Sequence, residues 1–225
     1  MASSDRVTGT FLGVLVLAWT VGCATTSSGP TRPVRQLLLE QADGSTVPLG
    51  QVLDPSEATV LVFWSTSCPC VRRYQARVEA LHATYATRGV GVVAVDSNAD
   101  DSLEELVRVA RARGVTVPVL RDPGAVLADA VGARSTPTVV LVRRDGSVLF
   151  HGWMDNEREP GEPGREAYLE EAIEGFLARR SFPARSPFYG CAITRSLRTG
   201  GGNSSACGHA GSRAAVEPKD TGGNL

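Results

Sequence analysis

Apolar residues in this chain fall into two rhythms, short continuous runs and longer stretches at helical spacing. Val34 to Gln41 and Thr46 to Leu49 read as short strands around an Asp43-Gly44 turn. Thr59 to Trp64 is an unbroken run suited to a buried central strand. Tyr74, Val78, Leu81 and Tyr85 then recur at helical spacing, and Arg88-Gly89 closes that helix. Val90 to Val95 is a second buried strand. Asp100 to Arg113 is a helix with Leu103, Leu106, Val107 and Ala110 on one face, ended by Gly114. Val115 to Leu120 is a strand interrupted by Pro118, which assigns it to an edge or a strand end. Gly124 to Val131 is a short helix. Thr138 to Val142 and Ser147 to His151 form a hairpin around Asp145-Gly146. Arg165 to Arg180 is a last helix with Leu169, Ala172, Ile173 and Phe176 inward.

Strands that alternate with helices predict an α/β fold: a central mixed sheet, parallel at its core, with helices on both faces and the hairpin as an antiparallel edge. The predicted domain spans 34–182, and 183–225 is a C-terminal extension. Ser181 to Arg195 is irregular but carries Phe182, Phe188, Tyr189 and Ile193 as anchors for packing on the domain. From about Thr199 the chain is rich in Gly, Ser and Asn and reads as disordered. There is no internal repeat.

The start of the chain breaks the pattern. Phe11 to Val21 is apolar and uncharged, shorter than the ~20 residues a spanning helix needs, and fits the centre of a signal peptide over 1–22. It ends at Thr20-Val21-Gly22-Cys23, which resembles a bacterial lipobox, with Cys23 the lipidated residue and Thr20 a departure from the usual aliphatic residue. The polar stretch over 23–33 then serves as a flexible tether. The expectation is a lipoprotein facing the periplasm, on the outer membrane; ordinary secretion is the alternative. Both place the chain where disulfides persist. The 225 residues carry a formal net charge of −1, so no global field favours nucleic acid, and none is expected as a partner.

Five cysteines are present, at 23, 68, 70, 191 and 207. Cys68-Pro69-Cys70 lies between the Thr59 to Trp64 strand, after Ser65-Thr66-Ser67, and the helix that starts near Val71. Two thiols at a strand-to-helix junction make a redox site that calls for no cofactor. A helix N-terminus carries partial positive charge and unpaired N–H groups, which favour a thiolate, the reactive form of cysteine. Pro69 suits the first helical position, where its missing N–H costs nothing. Arg72 and Arg73 either bend back toward Cys68 or stay solvated. A Cys68–Cys70 bond would close a small ring between residues that point in different directions on a helix. Cys191, in Tyr189-Gly190-Cys191-Ala192-Ile193, offers a second resolving thiol, or it pairs structurally with Cys207. Cys207, near His209, is otherwise incidental.

The order strand, Trp64-x-x-x-Cys68, helix, strand, helix, strand, Thr136-Pro137, hairpin, helix resembles the thioredoxin-like superfamily, and within it the redoxin branch of thiol–disulfide and peroxiredoxin-like proteins. The resemblance covers about Val34 to Arg180 and implies a three-layer sandwich. It implies that Cys68 is the attacking cysteine, that Pro137 is cis, and that the Thr136 backbone sits beside the Cys68 sulfur, ready to pair with an incoming peptide. Trp64 packs beside the site. Expected partners are protein thiols and disulfides and an unidentified electron donor. The family's second cysteine would stand at Val71, so Cys70 departs from the pattern. Thioredoxins proper bury a carboxylate where this chain has Val62. Peroxiredoxins carry threonine where this chain has Ser65, with Thr66 one step late, and Arg134 would have to serve a peroxide pocket. Two alternatives follow: a peroxidase, and a Cu(I) carrier in which His151 joins Cys68 and Cys70, since soft thiolates and imidazole suit that ion. No metal ligand set is assigned, and His82 is read as structural.

Overall fold

The computed structural model describes residues 33–157, 161, 163–187 and 189–195. The expected signal segment, Cys23, most of the tether, Cys207, His209 and the Gly-rich tail lie outside them. The elements in chain order are β1 (Leu38–Glu40), β2 (Thr46–Pro48), α1 (Leu49–Leu53), β3 (Ala58–Trp64), α2 (Pro69–Tyr85), β4 (Val90–Asp96), α3 (Leu103–Ala112), β5 (Val119–Arg121), α4 (Val126–Val131), β6 (Ser135–Thr136), β7 (Val139–Arg143), β8 (Val148–Gly152), α5 (Tyr168–Leu177) and β9 (Cys191–Ala192). Seven strands form one mixed sheet in the order β2-β1-β5-β4-β3-β7-β8. β3, β4 and β5 are parallel, and β1 and β7 flank them antiparallel. β6 and β9 form a separate ladder.

The predicted continuous apolar runs are continuous because both faces of the sheet are covered. In β3, Val60, Val62 and Trp64 face one layer while Leu61 and Phe63 face the other. The first layer is made by α2, α3 and α5, with Tyr74, Val78, Leu106 and Ile173 in its core. The second is made by α1 and α4, through Leu49, Leu53, Leu127 and Val131. The alternation carries through β4 and β7, as a two-residue pleat requires.

The structure moves several predicted boundaries. The strand predicted from Val34 begins at Leu38, after a turn of 3-10 helix at Val34–Gln36. Leu49 opens α1 rather than ending β2, because Leu49 and Leu53, four residues apart, are both fully buried. α3 starts at Leu103 instead of Asp100, since the Ser102 hydroxyl caps it by accepting the Glu105 N–H at 3.1 Å. The strand predicted over Val115 to Leu120 is confined to Val119–Arg121. Pro118 supplies only a carbonyl, which accepts the Ala94 N–H at 2.9 Å. After α2 the chain turns through Gly89 at φ 82°, a left-handed conformation that favours glycine. Among the described residues, no helix is long and apolar enough to cross a membrane.

Candidate active site

β3 and β4 run parallel with Trp64 opposite Asp96, so both strands deliver their carboxyl ends to one edge of the sheet. Ligand and reaction sites collect at such edges in open α/β sheets. After Ser65, Thr66 and Ser67 the chain enters α2, with Cys68 as its N-cap residue and Pro69 in the first turn. Cys68 and Cys70 are buried, at 2% and 3% exposure, and Cys191 is half-buried. The three sulfurs lie within 4.8 Å of one another. Cys68 and Cys191 carry thiols, whereas Cys70 is disulfide-bonded to neither of them.

The Cys68 thiol donates to the Thr136 carbonyl at 3.4 Å, and Thr136-Pro137 is a cis peptide bond. Thr136 and Pro137 thus stand where the sequence pattern puts them. Trp64 is buried beside the cysteines; its indole N–H donates to Gln75 Oε1 at 2.9 Å and the Arg113 guanidinium lies 5.3 Å from its ring centroid. Arg72 and Arg73 are both exposed.

Cys191 reaches the site through β9, which pairs antiparallel with β6 so that Cys191 is opposite Thr136. Its thiol is pushed up to about 12. Burial is the largest cause, followed by a hydrogen bond to the Cys68 side chain and the charge there. Cys191 is therefore held protonated while Cys68 is unmodified. Tyr189 stacks on Trp153 with ring centroids 3.2 Å apart, and Trp153 meets Tyr74 edge-on at 4.9 Å. Asp155, fully buried, pins this wall: it accepts Tyr74 Oη at 3.0 Å and Arg77 Nη1 at 2.7 Å.

A polar cluster behind the Cys68 loop was not legible in the sequence. The Asp101 carboxylate accepts the Thr66 N–H at 3.1 Å, the Ser65 hydroxyl at 3.2 Å and the Thr66 hydroxyl. Asp96 accepts the Asn98 backbone and side-chain N–H groups at 2.8 and 3.0 Å. Asn98 also donates to the Trp64 carbonyl at 3.1 Å. Arg113 donates to the Thr66 carbonyl, and burial pulls its guanidinium below the usual range. The one sequence signal for the cluster is Asp96-Ser97-Asn98 at the carboxyl end of a fully apolar strand. Val62 is a buried apolar residue, and the carboxyl that the Cys68 loop touches is Asp101, in the turn after β4.

Burial, and after it the neighbouring Asp101 carboxyl, pushes Asp96 up to about 8 from an ordinary value of 3.8. The folded chain thus binds a proton that the unfolded chain releases between these values. The contribution is fully present below pH 4 and is lost as pH climbs toward 8. We expect unfolding free energy to fall over that window with a slope of up to about 1.4 kcal/mol per pH unit. Asp96→Asn should flatten it, read by urea titrations at several pH values. A slope unchanged in the variant would place the proton elsewhere.

The alternatives fare differently. His151 lies opposite Val140, whose side chain belongs to the second layer, while the sulfurs belong to the first; among the described residues it does not join the thiol group. The copper set of Cys68, Cys70 and His151 is therefore not assembled: one-residue alternation along β8 turns the imidazole to the other face. Thiolates suit soft ions, and the three sulfurs are close, but the Cys70 disulfide leaves two thiols to ligate. The Ser65 hydroxyl is engaged by Asp101 and by Ser67 Oγ, and the Arg134 side chain is exposed.

A family model described as AhpC/TSA matches residues 30–151, more than half of the chain. The chain belongs to the AhpC/TSA family. Its fold is thioredoxin-like, as the layers, the helix at Cys68 and the cis Pro137 loop indicate. A thiol-disulfide oxidoreductase ResA of Halalkalibacterium halodurans is 29% identical over 112 residues, which is 50% of this chain and 61% of the relative. The chain thus spans about three fifths of the length of that relative. The crystal structure of an uncharacterised conserved protein of Geobacillus kaustophilus superposes with a TM-score of 0.64 at 27% identity, over 75% of this chain and 93% of that one. A putative thiol:disulfide interchange protein DsbE of Chlorobium tepidum shares the fold, with a TM-score of 0.51 at 23% identity, over 64% of this chain and 95% of that one.

Proposed function

We propose that this protein is an extracytoplasmic thiol–disulfide oxidoreductase in which Cys68 attacks and Cys191 resolves. The observation that carries the reading is the Cys191 sulfur held within 4.8 Å of the Cys68 sulfur by the β6–β9 ladder, with Cys68 as the N-cap residue of α2. The resemblance to ResA supports the reaction class. Cys68 as thiolate attacks a client disulfide, forms a mixed disulfide with one client sulfur and releases the other as thiolate. Two of the causes that keep Cys191 protonated, its hydrogen bond to Cys68 and the charge there, vanish once Cys68 is in the mixed disulfide. Cys191 then loses its proton to solvent and attacks the Cys68 sulfur. This closes a Cys68–Cys191 disulfide and expels the reduced client, and an external dithiol returns the pair to thiols.

Cys70 is the rival for the resolving step; its disulfide argues for Cys191 in the state described here. The outward location and a lipid anchor on Cys23 rest on the signal-like segment and lipobox resemblance, which lie outside the described residues. In this reading the partners are protein thiols and disulfides, a reducing or oxidising protein, and the membrane through that lipid.

Cys191→Ser tests the order of events. The variant should keep the first step and accumulate a Cys68–client mixed disulfide, seen as a mass increment that survives acid quenching. Wild type should instead show a Cys68–Cys191 peptide pair by differential alkylation and mass spectrometry. If the variant turns over normally and the trapped species never forms, Cys191 is not the resolving group.

A further inference from the structure

The segment over 189–195 does more than carry a thiol. Its centre, β9, is seated on the backbone beside the attacking cysteine. Cys191 pairs with Thr136 and Ala192 with Ser135, and the Ile193 N–H donates to the Arg134 carbonyl at 2.9 Å. Gly190, at φ 143°, lies so close that a Cβ there would stand 2.9 Å from the Thr136 carbonyl carbon and closer still to its oxygen. No larger residue fits without moving that backbone.

The seat is held at both ends. Ile193 is buried in the second layer beside Leu127 and Ala133. Thr194 donates its N–H to Asn98 Oδ1 at 3.1 Å and accepts the Ala99 N–H at 3.0 Å, and Arg195 pairs with Asp129 at 2.6 Å. At the other end Tyr189 stacks on Trp153. Asn98 ties the Trp64 carbonyl and Thr194 to one side chain, so the attacking loop and this strand share an anchor.

An intermolecular disulfide partner of Cys68 needs the same things: a sulfur against the Cys68 sulfur and a backbone held by the adjacent strand edge, as in recognition by strand addition. That edge is the one Cys191 and Ala192 cover.

We propose that residues 189–195 are a tethered stand-in for the client, so that a client enters as an extended peptide with glycine directly before its cysteine and must displace this strand. The proposal rests on the oxidoreductase reading and adds to it the shape of the substrate and a built-in competitor. The apparent rate of the first step is then the intrinsic rate scaled by the fraction of molecules with the strand undocked.

The test uses the full chain and a synthetic peptide with the sequence of residues 187–195, its cysteine joined to 5-thio-2-nitrobenzoate. Attack by the Cys68 thiolate on the peptide sulfur forms the Cys68–peptide disulfide and releases the coloured thiolate, so one turnover is read without the resolving step. Gly190→Val should unseat the strand, raise Cys191 alkylation, and speed release by about tenfold or more over wild type. In that variant a second peptide with alanine before its cysteine should react about tenfold more slowly than the glycine peptide. Equal rates in wild type and Gly190→Val, no gain in Cys191 alkylation, or indifference to the alanine each overturn the proposal. Release that persists in Cys68→Ser, or its absence from both wild type and Gly190→Val, overturns the oxidoreductase reading itself. Cys68-dependent release that is equal in wild type and Gly190→Val removes only the tethered stand-in.

Discussion

Cys68→Ser should reduce thiol–disulfide exchange by about three orders of magnitude or more, to the uncatalysed background. The reaction needs a sulfur at the start of α2 within reach of Thr136 and Cys191, and a serine hydroxyl is not ionised near neutral pH. Cys191 cannot substitute, because it lies in β9 and not at the head of a helix, so it lacks the N-terminal field that favours an attacking thiolate at Cys68. The serine hydroxyl can still donate to the Thr136 carbonyl, so the fold should be kept. The measurement is reduction of insulin disulfides, with thermal melting to show that the variant is folded. Turnover that survives in a folded Cys68→Ser protein would refute the assignment of the attacking residue.

Asp101→Ala should have the second largest effect, on both stability and exchange. One carboxylate accepts three donors from Ser65 and Thr66 and so sets the path of the chain into Cys68. Removing it strands a buried N–H and the Thr66 hydroxyl and leaves the Ser65 hydroxyl with Ser67 Oγ, a loss of about 2–4 kcal/mol. Exchange should fall by about tenfold or more, because Cys68 loses the loop that aims it at Thr136. Asp101→Asn provides the control. Its amide oxygen still accepts the Thr66 N–H, and its charge no longer opposes ionisation of Asp96. It should recover most of the stability, and the pH at which Asp96 loses its proton should drop. If Asp101→Ala is as stable and as active as wild type, the carboxylate does not hold the loop.

Much of the site was readable in the chain because the residues that make it are local. Cys68 follows an apolar strand and precedes a helix, and Pro69 tolerates only a few places in a helix, of which the first turn is one. Thr136-Pro137 before a hairpin is likewise a short, contiguous sign. What was missed depends on long-range meeting. Asp101 and Thr66 are 35 residues apart, and Arg113 and Thr66 are 47 apart. No spacing rule in one dimension links them.

The sequence by itself determined the alternation of strands and helices, the two-sided burial of the central strands, and a cysteine at the head of a helix. All of these follow from hydrophobic periodicity and from the restricted geometry of proline and glycine, which act within a few residues. The tertiary structure alone decided which thiol faces Cys68. Residues 191–192, two in number, have too little pattern to announce a strand, and they become one only because Ser135-Thr136 offers unpaired backbone groups and Gly190 allows the approach. It also decided that His151 turns away from the sulfurs and that a buried pair of aspartates stands behind the loop. Face and proximity are set by packing across the sheet, and packing is a property of the folded whole.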